Sequence, residues 1–449
     1  MATQLSRTFS SQGNQRKFTI SVWIKRTSLS QQSIFGSGGG NNYATRMYFD
    51  GSSNIQWWNY FNGSYAGRKY SSRSLRDTNG YYHCVFRCDT ANSTASERMR
   101  MYVNGEEVTD LETSDNPSQN QTMEVGHTGA HYIGGYGTGA EGDCIMSHFH
   151  YCDGYSYAPT EFGETDSTTG EWKIKTSPSV SYGTTGFFIL KNGNSVTDQS
   201  GLGNNWTVAN GTLTKTEDNP SNVFATLSPH ILPRNSGESI SNGSLSFGTS
   251  SAIWNTESSA FGIANGKYYF EVKLKDNGSD RRFRWGLQKE DVIITTGENK
   301  VLCGTGNPCI GYRTGGESAT QGGYLINFTD TALSDGDINE NNAIYGFAID
   351  LDNQRMYGHY NGTWLHSGNP SAGTGGIDVS SFYTVGEPLF PSFTVHNSTI
   401  ELNFGNGYFG TTAVATNSGN GYQDADGNGI FNYTVPTNYR ALCTKGLNQ

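Results

Sequence analysis

The chain has 449 residues, about three typical domains of ~150, so a single small module is excluded. Gly contributes 58 residues, aromatics make up 13 % and charged residues only 16 %. Helices tolerate Gly poorly, whereas aromatic and β-branched residues between Gly/Asn/Ser turns suit short strands, so an all-β fold is expected. The formal charge is −10, with 30 basic against 40 acidic residues and no Lys/Arg cluster, which speaks against a nucleic-acid partner. The 26 Tyr, 23 Phe and 8 Trp supply enough apolar surface to exclude a disordered chain.

Period-two alternation recurs along the first half, in FTISVWIKR (18–26), RMYFD (46–50), IQWWNYF (55–61), YYHCVFRC (81–88), RMRMYVNG (98–105) and CIMSHFHYC (144–152). Turn signals separate these runs, notably GSGGGNN (36–42), the Asn104-Gly105 pair and GGYGTG (134–139). A second series runs through KYYFEVKLK (267–275), RFRWGLQ (282–288), AIYGFAIDL (343–351), RMYGHYNG (355–362), LFPSFTV (389–395) and TIELNFG (399–405). Two antiparallel, jelly-roll-like β-sandwich domains in tandem are expected, over 1–209 and 223–449, the first with a C-terminal extension and the second with a C-terminal tail. The polar, Pro-containing stretch 210–222 lacks apolar periodicity and is read as the linker.

The first residues, MATQLSRTFSSQGNQRKF, contain no apolar h-region, and no window approaches ~18 uninterrupted apolar residues. Synthesis in the cytosol with no membrane insertion, and release by lysis, are expected. The seven Cys include no C-x2-C pair, so zinc is disfavoured and buried reduced thiols are expected.

Residues 18–26, 81–108, 131–154 and 162–164 resemble the laminin-G-like, concanavalin-A-like lectin domain: an aromatic strand with central Trp, a YVNG hairpin, Y-I-G-G and a closing strand ending in DG. GKYYFEV (266–272), WGL (285–287), IGY (310–312), 342–364 and 388–405 resemble a SPRY domain, which joins G-x-x-[IL]-D-L-D to a Y-x-N-G hairpin. The coupling of these two with FGETD…GEWKIK (162–175), SGLGNNWT (200–207) and the tail 433–447 resembles virion-associated proteins of tailed phages of marine bacteria. The resemblance implies a virion surface protein of tail-fibre or adhesin type that contacts host-surface glycan or protein and other virion proteins, commonly as a homo-oligomer. A capsid decoration or head-fibre protein, contacting only virion proteins, is the alternative.

A glucanase on such a sandwich needs facing carboxylates, usually as E-x-D-x-x-E on one strand. Glu141-x-Asp143 lacks the third acid, and Asp350-x-Asp352 sits where acids orient a turn, so no hydrolase is expected. His148 and His150 share a strand face, with a polar outer face preferred to a metal site. Asp424, Asp426 and Asn428 match the opening of a D-x-D-x-N-G calcium loop, but position twelve is Val435 and not the bidentate Glu, so an Asx-turn competes with Ca²⁺. No cofactor is otherwise expected.

Binding needs stacking aromatics beside hydrogen-bonding side chains. Trp57, Trp58 and Tyr60, with Phe61, Asn54, Asn59 and Asn62, form one candidate platform, in which alternation sends Trp57 and Trp58 to opposite faces so that one is core. In the second half Tyr312, Arg313, Trp364 and His366 are candidates beside loops, with Trp364 also readable as hairpin packing.

Overall fold

Two stacks of antiparallel sheets account for nearly all of the regular structure, as residue alternation requires when each strand has one apolar and one polar side. The computed structural model describes residues 2–40, 42–137, 139–191, 195–228, 237–250, 252–276, 282–290, 301–304, 307–315, 321–336, 338–414 and 422–447. Helix among them is confined to single short turns, and no helix is long and apolar enough to cross a membrane. The chain divides into two compact units: 1–214 with 219–221, and 215–218 with 222–449. Residues 210–222, read as a linker, are thus divided between the two units. The strand Thr207–Asn210 pairs with Gln4–Thr8, which ties the end of the first unit back to its start.

In the N-terminal unit one sheet has eight strands, in the order Leu111–Asp115, Ser64–Ser74, Asn54–Phe61, Tyr43–Phe49, Gln32–Gly40, Ala130–Ile133, Gln4–Thr8, Thr207–Asn210. The other has six: Phe187–Ile189, Cys144–Asp153, Lys17–Arg26, Tyr82–Asp89, Met99–Val103, Glu106–Glu107. Phe18, Ile20, Val22, Ile24, Met47, Phe49, Trp57, Cys84, Phe86 and Phe149 fill the space between them. The Trp57 ring lies edge-on to Phe18 at 6.0 Å and Phe86 at 5.8 Å, closing the core. The Asn104-Gly105 turn has φ of 50° and 83°, the pair of positive values that a two-residue I′ hairpin needs.

A six-stranded sheet has a second face, and here the extension covers it. His83 stacks on Trp23 at 4.6 Å, and Trp172 donates its Nε1–H to His83 Nδ1 at 3.0 Å, leaving Nε2–H for Ser21 Oγ at 2.8 Å. Trp172 lies so close over Gly105 and Gly163 that a Cβ on either would come within 2.6 Å of its ring. His150 is stacked on Phe188 at 4.0 Å and hydrogen-bonded to the Tyr182 hydroxyl at 2.9 Å. The expected polar outer face at His148 and His150 is therefore corrected: both are buried. A register shift between Ser147 and His150, with His148 at φ 49°, breaks the alternation.

In the C-terminal unit Lys267–Asp276 pairs with Ile344–Asp350 and Thr399–Asn403 in one sheet, and Arg282–Lys289 pairs with Cys309–Arg313 and Leu389–His396 in the other. Phe270, Val272, Trp285, Tyr312, Phe347, Phe393 and Leu402 form the core between the sheets. Here too an outer face is covered. Glu271, fully buried, points away from the core and accepts four hydrogen bonds: from Tyr269 Oη (3.0 Å), Asn403 Nδ2 (3.1 Å), Asn432 N (2.9 Å) and Tyr433 N (2.8 Å). His359 Nδ1 accepts from Gly362 N at 3.2 Å, so its Nε2–H donates to Tyr269 Oη at 2.7 Å. The tail is thereby pinned to the sheet, with Phe431, Val435, Tyr439 and Ala441 packed around Tyr269 and Tyr357.

Cys303 and Cys309 form a disulfide, which departs from the expectation of reduced thiols throughout; the remaining five Cys are in no disulfide. Burial pushes the Cys84, Cys88 and Cys152 thiols up, away from the reactive thiolate.

The buried titratable groups set the pH response of each unit. Burial lowers His83 and His131 to about 3 and His148 to about 4, and also lowers His127 and His150. A lowered imidazole contributes stability above ~6.5 that is lost as pH falls, on the order of 2 kcal/mol per fully buried ring at pH 5. In the C-terminal unit burial raises Glu271 to about 7 against the pull of its donors. A raised carboxyl contributes stability that is present below the unfolded pKa and lost as pH rises to 7, so acidification there offsets the cost at His359, lowered by burial to about 3. Scanning calorimetry of the whole chain is expected to show the N-terminal transition falling sharply between pH 7 and pH 5 while the C-terminal transition moves little.

Candidate binding face

With the extension over the six-stranded sheet, the outer face of the eight-stranded sheet is the candidate binding face of the N-terminal unit. Its side chains follow from register. One cross-strand row runs Thr207, Ser6, Tyr132, Gly36, Arg46, Trp58, Arg68, Asp115. A second row sets Tyr48 beside Gln56 and Tyr70, and a third sets Ala44 beside Tyr60 and Tyr65. A register shift between Asn59 and Tyr60 keeps Tyr65 on this face. Gly36 lacks a side chain where Tyr136 lies; a Cβ there would come within 2.9 Å of the Tyr136 ring.

Trp58 is half-buried at the centre, edge-on to Tyr136 at 5.9 Å and Tyr65 at 6.3 Å, and Tyr60 meets Tyr65 at 5.1 Å. Tyr65 is 49 % exposed. The Arg46 guanidinium lies over Tyr48 at 4.3 Å and is ion-paired to Glu141, while Arg68 lies over Tyr65 at 4.4 Å and bonds Asp115 at 2.6 Å. The Tyr48 hydroxyl donates to Gln56, whose amide donates to Asp50. Burial holds the Tyr48, Tyr70 and Tyr136 phenols up, so they stay protonated donors. Ring edges and faces beside amides and hydroxyls form a surface suited to stacking and hydrogen bonding.

The sequence candidates divide accordingly. Trp58 and Tyr60 lie on this face, whereas Trp57 is fully buried in the core, with its Nε1–H directed at Thr45 Oγ1 at 3.4 Å. Asn59 is also inward, accepting Glu124 N at 2.8 Å. Tyr48, Tyr65, Tyr70, Tyr136, Arg46 and Arg68 were not singled out. The alternation of RMYFD carried a signal for the first, but the shift around Ala66 hid the strand Ser64–Ser74.

In the C-terminal unit Tyr312 is corrected from ligand candidate to core: its ring has no exposed surface and lies over Gly358, whose Cβ would meet it at 2.8 Å. Arg313 is also buried, held by Asp330 at 2.7 Å and by the carbonyls of Thr314 and Gln321. Trp364 packs edge-on to His359 at 5.1 Å beside its hairpin, and His366 is exposed near Tyr324 at 5.9 Å. These four residues do not assemble one site.

The calcium reading at Asp424, Asp426 and Asn428 is likewise corrected. Asp424 Oδ1 accepts the backbone N–H of Asp426 (3.0 Å) and Asn428 (2.7 Å), and Oδ2 accepts that of Ala441 (2.9 Å), so the loop is an Asx-turn anchoring the tail. Asp426 pairs with Arg440 at 3.0 Å, and Asn428 accepts from Asn222 at 3.3 Å. No group of three or more His, Cys, Asp or Glu suited to a metal occurs among the described residues. Of the acids weighed for hydrolysis, Glu141 is paired to Arg46, Asp350 to Lys267 at 2.7 Å, and Asp352 caps Gly266 N at 2.9 Å.

Two outcomes check this division of roles. Trp57→Ala is expected to cost the N-terminal unit about 3–5 kcal/mol and Trp58→Ala less than about 1 kcal/mol, measured by denaturant unfolding. Melting temperatures are expected to be the same in EDTA and in millimolar calcium; a calcium-dependent rise would restore a metal to the tail loop.

A comparison with curated proteins finds no match. Among solved structures the chain is similar to a heptameric SAP-like pentraxin from Limulus polyphemus (18 % identity, TM-score 0.26, 35 % of this chain and 72 % of that one). It is also similar to the SPRY domain of human HERC1 (12 %, 0.29, 39 % and 96 %) and to domains LG4-5 of the mouse laminin alpha1 chain (8 %, 0.29, 90 % and 85 %). Residues 3–143 match the family model of the concanavalin A-like lectin/glucanases superfamily.

Proposed function

We propose that the chain is a non-enzymatic carbohydrate-binding protein whose N-terminal sheet face, centred on Trp58, is the binding surface. The observation that carries this reading is the open grid of Trp58, Tyr60, Tyr65, Tyr48 and Gln56 on a sheet whose partner sheet is capped by the chain itself. Indole and phenol rings match the apolar faces of pyranoses, and the amide and hydroxyls beside them match their hydroxyl groups. The match of residues 3–143 to a lectin and glucanase superfamily supports the same class of ligand, and the engagement of Glu141, Asp350 and Asp352 in ion pairs and caps favours binding over hydrolysis.

The biological setting is part of the proposal. The combination of sequence blocks that resembles virion-associated phage proteins supports display on a virion surface, with host-surface glycan as the target and other virion proteins as neighbours. Homo-oligomers are the common state of such proteins. The half-buried Trp58, Tyr60 and Tyr48 beside the exposed Tyr65 on one face favour this adhesin role over a decoration role confined to contacts within the virion.

Glycan-array and host-cell binding of the purified chain test the reading. Wild type is expected to bind and Trp58→Ala to lose at least about tenfold in affinity with its folding intact. Equal binding by the two would remove the face from the account.

A further inference from the structure

Resting on the carbohydrate reading above, we propose that this face selects neutral pyranose chains and rejects anionic ones. Arg46 and Arg68 flank Trp58 in a single cross-strand row, an arrangement that would suit a sulfate, phosphate or uronate if the two charges were available. Each guanidinium already holds one carboxylate and one tyrosine ring. Arg46 is paired with Glu141 and stacked over Tyr48 at 4.3 Å, and Arg68 is paired with Asp115 and stacked over Tyr65 at 4.4 Å. The acids come from separate segments of the chain, Asp115 from the edge strand Leu111–Asp115 and Glu141 from the turn before Cys144–Asp153.

The rest of the grid has no charge to offer. Its row partners are Thr207, Ser6, Tyr132 and Gly36, and the flanking rows are Tyr48, Gln56, Tyr70 and Ala44, Tyr60, Tyr65. Asp50, hydrogen-bonded to Gln56 at the end of this surface, adds a negative charge, and the whole chain carries −10. An anionic glycan would have to displace a carboxylate from its arginine and approach a surface of its own sign. A neutral chain needs only ring faces, the Gln56 amide and tyrosine hydroxyls, all indifferent to salt. The arginines therefore act as positioning residues for Tyr48 and Tyr65.

The test is affinity electrophoresis and calorimetry of the full chain against unsubstituted β-glucan and galactan, and against alginate and sulfated galactan, in about 0.05 and 0.5 M NaCl. Wild type is expected to bind a neutral polymer with less than about twofold change between the two salts, and to bind either polyanion at least about tenfold more weakly. Asp115→Asn, at an exposed ion pair, releases Arg68 and is expected to gain polyanion binding severalfold in low salt only. Salt-sensitive binding of polyanions by wild type would overturn the inference while leaving the carbohydrate reading standing. So would an Asp115→Asn variant with no gain. Binding of none of the polymers would overturn the carbohydrate reading itself, and the inference with it.

Discussion

Every sheet in a sandwich has two faces, and only one of them is consumed by the core. The constraint that organises this molecule is what becomes of the other face. In the C-terminal unit the tail is laid over it and held by the buried carboxylate of Glu271, whose four donors come from two strands and two tail residues. In the N-terminal unit the six-stranded sheet is covered by the extension through the Trp23–His83–Trp172 stack. The outer face of the eight-stranded sheet meets the segment of Tyr136 and Glu141, and it carries large aromatic side chains that a merely solvated face does not need.

The neighbouring tryptophans 57 and 58 express that constraint at the level of one peptide bond. Trp57 enters the core between Phe18 and Phe86, and Trp58 stands outside between Tyr136 and Tyr65. The same alternation sends Asn59 inward, where its amide oxygen receives a backbone N–H, and Tyr60 outward. The core and the proposed binding face are thus carried by alternate residues of one strand, so the outward side chains can vary without disturbing the core beneath them.

The all-β class, the tandem sandwiches and the opposite facing of Trp57 and Trp58, though not which of the two is core, were legible because period-two alternation and Asn-Gly turns are local signals. The WGL and IGY blocks were legible only through a family resemblance; in the fold Gly286 and Gly311 face each other across paired strands, where a Cβ on Gly286 would lie 2.0 Å from the carbonyl oxygen of Ile310. What escaped was non-local or irregular. His150 does face outward, but Phe188 and Tyr182 cover it there, and the shift near Ala66 hid Tyr65 and Tyr70. Nothing near Tyr312 in sequence announces that the Tyr345 and Phe347 strand will cover it. The Asp424 loop had the spacing of a calcium site, but its carboxylate is taken by backbone donors, one of them at Ala441, 17 positions away.

The central claim is that ligand meets the face on which Trp58 stands. Indole N–H resonances of the full chain, followed by NMR during titration with a neutral oligosaccharide that the protein binds, test it most directly. Shifts at the Trp58 indole, with the buried Trp57 indole and the hydrogen-bonded Trp172 indole unmoved, are the predicted result. Binding that leaves Trp58 unmoved and shifts the Trp364 indole in the C-terminal unit would contradict the account and place recognition elsewhere.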